Sequence, residues 1–299
     1  SAASDVYKRQ VIIVAYVVLG IISFMCIAPV VLMAVASFTD NDVLNLYGYT
    51  YFPQKWSLEA YEFLIKQGTV ISKSFLNSIL VTFMGTALGI MVTVLLAYTI
   101  SRKELVGRKL IMLFVFFTML FNGGMVPTYL MYTQIFHIKN TMWALLFPHL
   151  LVNGFNVLLV RTFFNENIPE VLLEAARIDG AGEISIFRNV VLPISKPILA
   201  TIGLLVGVGY WNDWYNGLLF VTDVNYYTLQ NFLNKIMTDL QFLSQNMSAT
   251  SDVNSIIANV PSGTVRMAMA FIGALPVIIV FPFFQKYFTK GITVGAVKE

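Results

Sequence analysis

Glu174-Ala175-Ala176-Arg177-Ile178-Asp179-Gly180, followed after nine residues by Val190-Val191-Leu192-Pro193, is a polar island between two long apolar runs. Pro169 suits the first turn of a helix, where its missing N–H is an orphan donor anyway, and Asn167 lies near the capping position. Glu170 and Glu174 suit the positive end of a helix dipole. Arg177 belongs to the last turn, and Gly180 to the left-handed residue that follows it. Residues 169–179 therefore read as a short helix. Glu170, Glu174 and Arg177 form its polar stripe. Leu172, Ala175, Ala176 and Ile178 leave a small-residue apolar surface that another body can approach closely. Pro193 is read as the restart of an apolar helix.

The surroundings of this island are hydrocarbon-like. Hydrophobic residues are 57% of the chain and charged residues 12%, against about 25% charged in soluble proteins. Mean hydropathy is +0.73. The fold class is an all-α polytopic membrane protein. A spanning helix needs about 20 apolar residues, and six segments qualify, approximately 11–36, 74–100, 109–133, 141–164, 193–217 and 264–288. Residues 1–10 are set aside as a tail, incomplete or foreign to the native chain because no Met opens it. The remainder, 11–299, reads as a single transmembrane domain with an internal loop at 165–192 and outer loops at 37–73 and 218–263.

Orientation follows from the cations. With the N-terminus inside, thirteen of the nineteen Lys and Arg fall on the inner side and six on the outer. The positive-inside rule then places both termini and the Glu174 loop in the cytoplasm. In the first outer loop, Ser57 is suited to cap a short helix. In the second, Leu229, Phe232, Leu233, Ile236, Leu240 and Leu243 recur near 3.6 residues, giving an amphipathic helix on the membrane surface or against the bundle. Residues 244–263, rich in Ser and Asn, read as a loop.

Several chemistries are excluded. Gly-x4-Gly-Lys-Ser/Thr is absent, so the chain does not bind ATP by that route. Cys26 stands alone and His137 and His149 are isolated, so neither a disulfide framework nor a metal cluster is expected. No basic run suggests nucleic acid. Small residues at Gly85, Ala87 and Gly89 favour close helix packing. Asn122-Gly123-Gly124 with Pro127, and Pro148-His149 with Asn153-Gly154, interrupt two spans near mid-depth. Irregular backbone there must be covered by protein or face a wet cavity. Asp213 sits near the outer end of the fifth span, among Trp211, Asn212 and Trp214. Aromatic faces beside amides and a carboxylate match what sugar rings require. An interfacial aromatic belt without any ligand gives the same pattern. Asn122, His149, Asn153, Trp211, Asn212, Asp213 and Trp214 are thus the candidate pathway residues.

The central stretch resembles the EAA loop of binding-protein-dependent import permeases: Glu-Ala-Ala, three residues, Gly, nine residues, Ile, one residue, Leu-Pro. Val190 replaces Ile and every other element matches. The Trp211-Asn212-Asp213-Trp214 segment and the tail Phe283-Phe284-Gln285-Lys286-Tyr287-Phe288-Thr289-Lys290-Gly291 are similar to carbohydrate importers of this group. The resemblance implies a six-helix permease of the type I importer fold in the bacterial cytoplasmic membrane. It implies alternating access driven by a cytoplasmic ATPase dimer, which alone binds ATP; the chain itself is not an enzyme and needs no cofactor. It also implies a second, homologous permease and an extracellular solute-binding lipoprotein. Pro169, Leu172, Glu174, Ala175, Ala176, Arg177, Asp179, Gly180, Leu192 and Pro193 would form the ATPase-coupling loop, and Lys290 to Glu299 a tail reaching the same ATPase. An amino-acid or peptide permease of the same superfamily is the nearest alternative. An ion-driven transporter would want a charged pair at the midplane, which the sequence does not offer.

Overall fold

The computed structural model describes residues 2–66, 68–245 and 262–293. It is helical throughout, with one isolated antiparallel bridge, Thr39 to Trp56, among the described residues. Among the described residues three helices are long and apolar enough to cross a membrane: Arg9–Ser37, Gly68–Ser101 and Gly263–Gln285. Two bent pairs raise the number to five if each counts as one span. The chain divides into two compact units, one of residues up to Gly68 with Lys235–Leu275, the other of Thr69–Asn234 with the chain from Pro276.

In the first unit, α1 (Ala2–Ser37) runs through Pro29 and takes in the segment set aside as a tail. Asp40 caps α2 (Asn41–Tyr47) by accepting from the Asp42 and Val43 amides. The loop beyond α1 is stitched down. The Asp40 amide donates to the Lys55 carbonyl at 3.1 Å, and the Ser57 amide to the Phe38 carbonyl at 2.8 Å. Ser57 Oγ accepts from the Glu59 amide at 3.1 Å, at the start of α3 (Glu59–Lys66). Tyr61 of α3 stacks on Phe38 with centroids 4.8 Å apart.

The second unit is built on α4 (Gly68–Ser101). Its small residues do what close packing requires. A β-carbon on Gly85 would clash with Cζ, Cε1 and Cε2 of Tyr210, and one on Gly89 would lie 3.1 Å from Val206 Cγ1. Tyr210 is 2% exposed and donates to the Leu146 carbonyl at 2.7 Å, so its hydroxyl is satisfied where it is buried.

The expected third span is two pieces. α5 (Arg108–Leu120) ends at Phe121, and α6 (Met125–Leu130) continues as a π-helix over Met131–Ile135. They meet at 115°. Gly124 has φ +85 at the corner, and Asn122 Oδ1 accepts from its amide at 2.8 Å.

The span expected over 141–164, with its break at Pro148-His149 and Asn153-Gly154, is a four-residue helix, α7 (Trp143–Leu146), an irregular stretch, and α8 (Gly154–Asn167). Pro148 removes a backbone donor, and His149 takes φ +62, which a right-handed helix cannot contain. Asn153 then caps α8, accepting from Phe155 and Asn156 amides at 2.9 and 3.3 Å.

The polar island forms α9 (Glu170–Ile178). Pro169 holds the capping position with ψ 131 and is not the first helical residue. Asn167 is the last residue of α8, and its amide donates back to the Phe163 carbonyl at 3.1 Å, so it caps nothing. Gly180 has φ +80. Its amide donates to the Arg177 carbonyl and that of Ala181 to the Ala176 carbonyl, each at 3.0 Å; this paired closure is the Schellman motif.

α10 (Glu183–Ile186) widens into a π-helix at Phe187–Val191 and closes with the short α11 (Leu192–Ile194). Pro193 has no N–H to continue an α-helical ladder, and a π-turn is one way to absorb that loss. The spanning helix restarts at Lys196, not Pro193, after an 81° turn at Ser195. α12 (Lys196–Trp211) is followed by α13 (Tyr215–Phe220), capped by Asp213 through the Tyr215 and Asn216 amides at 3.1 and 3.2 Å. The expected amphipathic helix is α14 (Leu229–Gln245), with Leu229, Phe232 and Leu233 buried. Residue Ser78 on α4 accepts from the Leu229 amide at 2.7 Å, which pins its start. Most of the Ser/Asn-rich stretch lies outside the described residues. The last helix, α15 (Ser262–Thr293), contains Pro276 and Pro282, and the tail from residue 294 again lies outside them.

Candidate functional site

α9 is anchored by a single buried side chain, Leu173, at 3% exposure. The remaining apolar side chains face outward. Val171 is 74% exposed, Leu172 42%, Ile178 86%, and Ile184 on α10 83%. Ala175 is exposed too, Ala176 half-buried. Hydrophobic side chains bared this fully on one short helix mark a contact surface. Leu172, Ala175 and Ile178 are residues of the expected apolar surface; Val171 and Ile184 widen it. Sequence spacing gave no signal for Ile184, because it belongs to the next helix.

Two of the three residues of the expected polar stripe are held by ion pairs. Glu170 pairs with Lys103 at 2.7 Å. Arg177 reaches the adjacent residue of the same turn, Glu104 Oε1 at 3.2 Å, and also Glu183 Oε1 at 3.0 Å. Glu183 Oε2 accepts from the Tyr98 hydroxyl at 2.8 Å. The Arg102 guanidinium lies over the Tyr98 ring at 4.7 Å. Glu174 stays exposed and faces out with the apolar residues. Thus α9 and α10 are clamped to the end of α4 and the turn after it. Glu104 is held below the usual carboxylate range, first by its own backbone N–H and then by Arg177. Both effects keep it charged in its role as a partner for Arg177. A cleft of about 420 Å³ runs beside the clamp, between Arg102, Glu104, Phe164, Glu170 and Arg177. Lys103, Glu104 and Tyr98 were not legible as partners, since each lies more than sixty residues from the residue it holds.

A second locus sits at the two backbone breaks. Asn122, Met125, His149, Asp213, Tyr215 and Asn216 line a cavity of about 310 Å³. Three expected pathway residues, Asn122, His149 and Asp213, therefore meet although they come from three different segments. His149 also lines an adjoining cavity of about 540 Å³ with Tyr132, Phe136, Phe147 and Val152. The other expected residues lie elsewhere. Asn153 is engaged as the α8 cap. Trp211 is buried against Phe75, edge to face at 5.9 Å, and lines an apolar groove with Phe83, Pro276 and Val280. Trp214 is 46% exposed and meets the edge of Tyr215 at 6.0 Å. Asn212 is exposed. The aromatic wall is supplied by Tyr215, Tyr132, Phe136 and Phe147, most of which lie in stretches that read as plain apolar span. No cluster of metal-ligating side chains occurs among the described residues.

Apolar helices interrupted at residues 122–124 and 148–153, together with a short helix that bares apolar side chains, are the features of a transport permease. The chain belongs to the family described as binding-protein-dependent transport system inner membrane component, whose profile matches residues 85–294. It is a membrane transport component of a bacterial inner membrane and not an enzyme. An ATPase and a solute-binding protein are partners of such permeases. The chain is 36% identical to the polygalacturonan/rhamnogalacturonan transport system permease protein YtcP of Bacillus subtilis (strain 168), over 92% of this chain and 94% of that one. It is 34% identical to protein LplC of the same organism, over 94% and 92%. The trehalose/maltose transport system permease protein MalG of Thermococcus litoralis is 29% identical over 98% of each chain. The fold is shared with a chain of a bacterial ABC transporter involved in the import of the acidic polysaccharide alginate. The TM-score is 0.79 at 28% identity, covering 94% of this chain and 97% of that one.

Proposed function

We infer that this chain is the permease subunit of an ATP-driven oligosaccharide importer, working beside a second, homologous permease. Six spans with both termini in the cytoplasm complete the reading, the fourth being the interrupted segment from α7 to α8. ATP is bound by the cytoplasmic ATPase dimer alone. The observation that carries the proposal is the α9 face: apolar side chains held out on a helix that ion pairs fasten to the bundle. A bared surface invites a partner, and a clamped one passes on the partner's movement.

The mechanism is alternating access. Closure of the ATPase pair on ATP pulls α9, and the clamp carries the displacement to α4 and, through α10 and α11, to α12. The cavities at Asn122, His149 and Asp213 open outward and take sugar from the binding protein. Hydrolysis returns them inward. The carbohydrate assignment draws on the relatives above, several of which carry sugar polymers or maltose by name, and on the aromatic and polar walls of the cavities. A peptide or amino-acid substrate would want a fixed charge pair for its termini, and the wall offers Asp213 without a lysine or arginine beside it.

The test is uptake by proteoliposomes containing the four kinds of subunit. ATP-dependent accumulation of a labelled oligosaccharide is expected, abolished by Ile178→Asp. Accumulation that needs an ion gradient and ignores ATP overturns the reading.

A further inference from the structure

We propose that the two cavities meeting at His149 are neighbouring subsites for a neutral oligosaccharide, and that the Asp213 subsite rejects uronic acid units. The proposal rests on the importer reading and adds the chemistry of the sugar this subunit accepts.

Asp213 is the acidic side chain in the wall of the smaller cavity, and neither lysine nor arginine lines it. Asp213 is held in place by two backbone N–H bonds through Oδ1. Its position is fixed by the α13 cap, so it cannot swing away from an incoming ligand without uncapping the helix. A carboxylate offers acceptor positions only. The partner that suits it is a donor such as a ring hydroxyl. A uronate would bring a second negative charge beside the first, in a partly enclosed site where repulsion is screened less than in water. Asn122 and the His149 imidazole add groups that exchange hydrogen bonds with hydroxyls.

The larger cavity has a different character. Tyr132, Phe136 and Phe147 line it, and aromatic side chains suit the C–H face of a pyranose. His149 borders both cavities, and its backbone takes φ +62, a conformation uncommon for any residue but glycine. One sugar ring is bound by its hydroxyls beside Asp213, and the next by its face among the aromatics.

The test uses the full-length chain in its native membranes with Cys26 replaced by serine. Met125→Cys reports on the smaller cavity and Val152→Cys on the larger. Each is labelled with a permeant maleimide in the presence of glucose, galactose, maltose, glucuronate or galacturonate. A bound sugar at about ten times its Kd slows labelling about tenfold. Neutral sugars are expected to protect the thiol of the Met125→Cys variant, and the uronates to leave its labelling rate unchanged. Adding Asp213→Asn is expected to let galacturonate protect as well. If that variant does not insert, the contrast between neutral sugars and uronates with Asp213 intact decides the matter. Equal protection by uronates overturns the proposal, as does failure of every sugar to protect at either position. ATP-driven uptake without protection refutes the subsites and leaves the importer standing. Protection without ATP-driven uptake does the reverse.

Discussion

Arg177 Nη1 lies 3.2 Å from Glu104 Oε1, across seventy-three residues of sequence, and so ties the exposed helix α9 to the turn that ends α4. With the Glu183 bond it makes α9, α10 and the end of α4 one body. Arg177→Ala is expected to leave the chain folded, since Glu104 and Glu183 are each more than half exposed and surface ion pairs stabilise little. The loss falls on transmission: more ATP is hydrolysed per sugar moved, with uptake down about tenfold, equivalent to about 1.4 kcal/mol of coupling. Arg177→Lys should recover only part, because an ammonium cannot serve two carboxylates in the planar geometry of a guanidinium. The ratio of phosphate released to sugar accumulated is the measurement.

Gly180 ends α9 at φ +80, with nothing within 4 Å of a β-carbon built there. Gly180→Ala meets open space and suffers only the left-handed backbone, a cost of about 1–2 kcal/mol. Gly180→Trp adds a bulky ring beside the exposed apolar face of α9. Insertion is expected to survive in both, and co-purification of the ATPase to fall in the second far more than in the first.

Gly85 is different in kind, because Tyr210 fills the space its β-carbon would need. Tyr210 is tethered to the Leu146 carbonyl and cannot retreat cheaply. Overpacking of this sort costs about 1–3 kcal/mol. Gly85→Ala should lower the midpoint of thermal unfolding in detergent, and Gly85→Ala with Tyr210→Phe should lower it further by leaving that carbonyl unpaired.

In the first unit, Lys55 Nζ lies 2.6 Å from Asp40 Oδ2. The Lys55 bond holds the Asp40 carboxyl below its ordinary value of 3.8, against the opposing effect of burial. A carboxyl depressed in the folded state contributes stability above its ordinary value and loses it as pH falls through the folded one. The pair should therefore leave stability flat from about pH 5 to 8 and weaken it below about pH 4. Lys55→Met should flatten that acid limb, read as the unfolding midpoint at successive pH values.

The parts legible in the sequence are those encoded locally. α9 is bounded by Pro169 and Gly180, and both ends follow from the φ each residue accepts. α14 follows from the spacing of Leu229, Phe232 and Leu233. Ser57 and the breaks at Asn122 and Pro148 are likewise local. What sequence alone could not supply is pairing at a distance. The partners of Arg177 and Glu170 come from the turn after α4. Tyr215, rather than Trp211 or Trp214, turns to the cavity because Asp213 caps a new helix there. In the segment over 141–164 the break itself was legible at Pro148, but the left-handed backbone of His149 was not, because apolar composition carries no signal for it.

The central claim is that α9 is the lever on which an internal motor acts. Ile178→Cys in a chain lacking Cys26 tests it most directly, with an impermeant maleimide applied to intact cells or to inside-out vesicles. The account predicts labelling only in inside-out vesicles, and protection there when the ATPase is bound. Labelling from outside intact cells, or labelling in vesicles that the ATPase leaves unchanged, would contradict it.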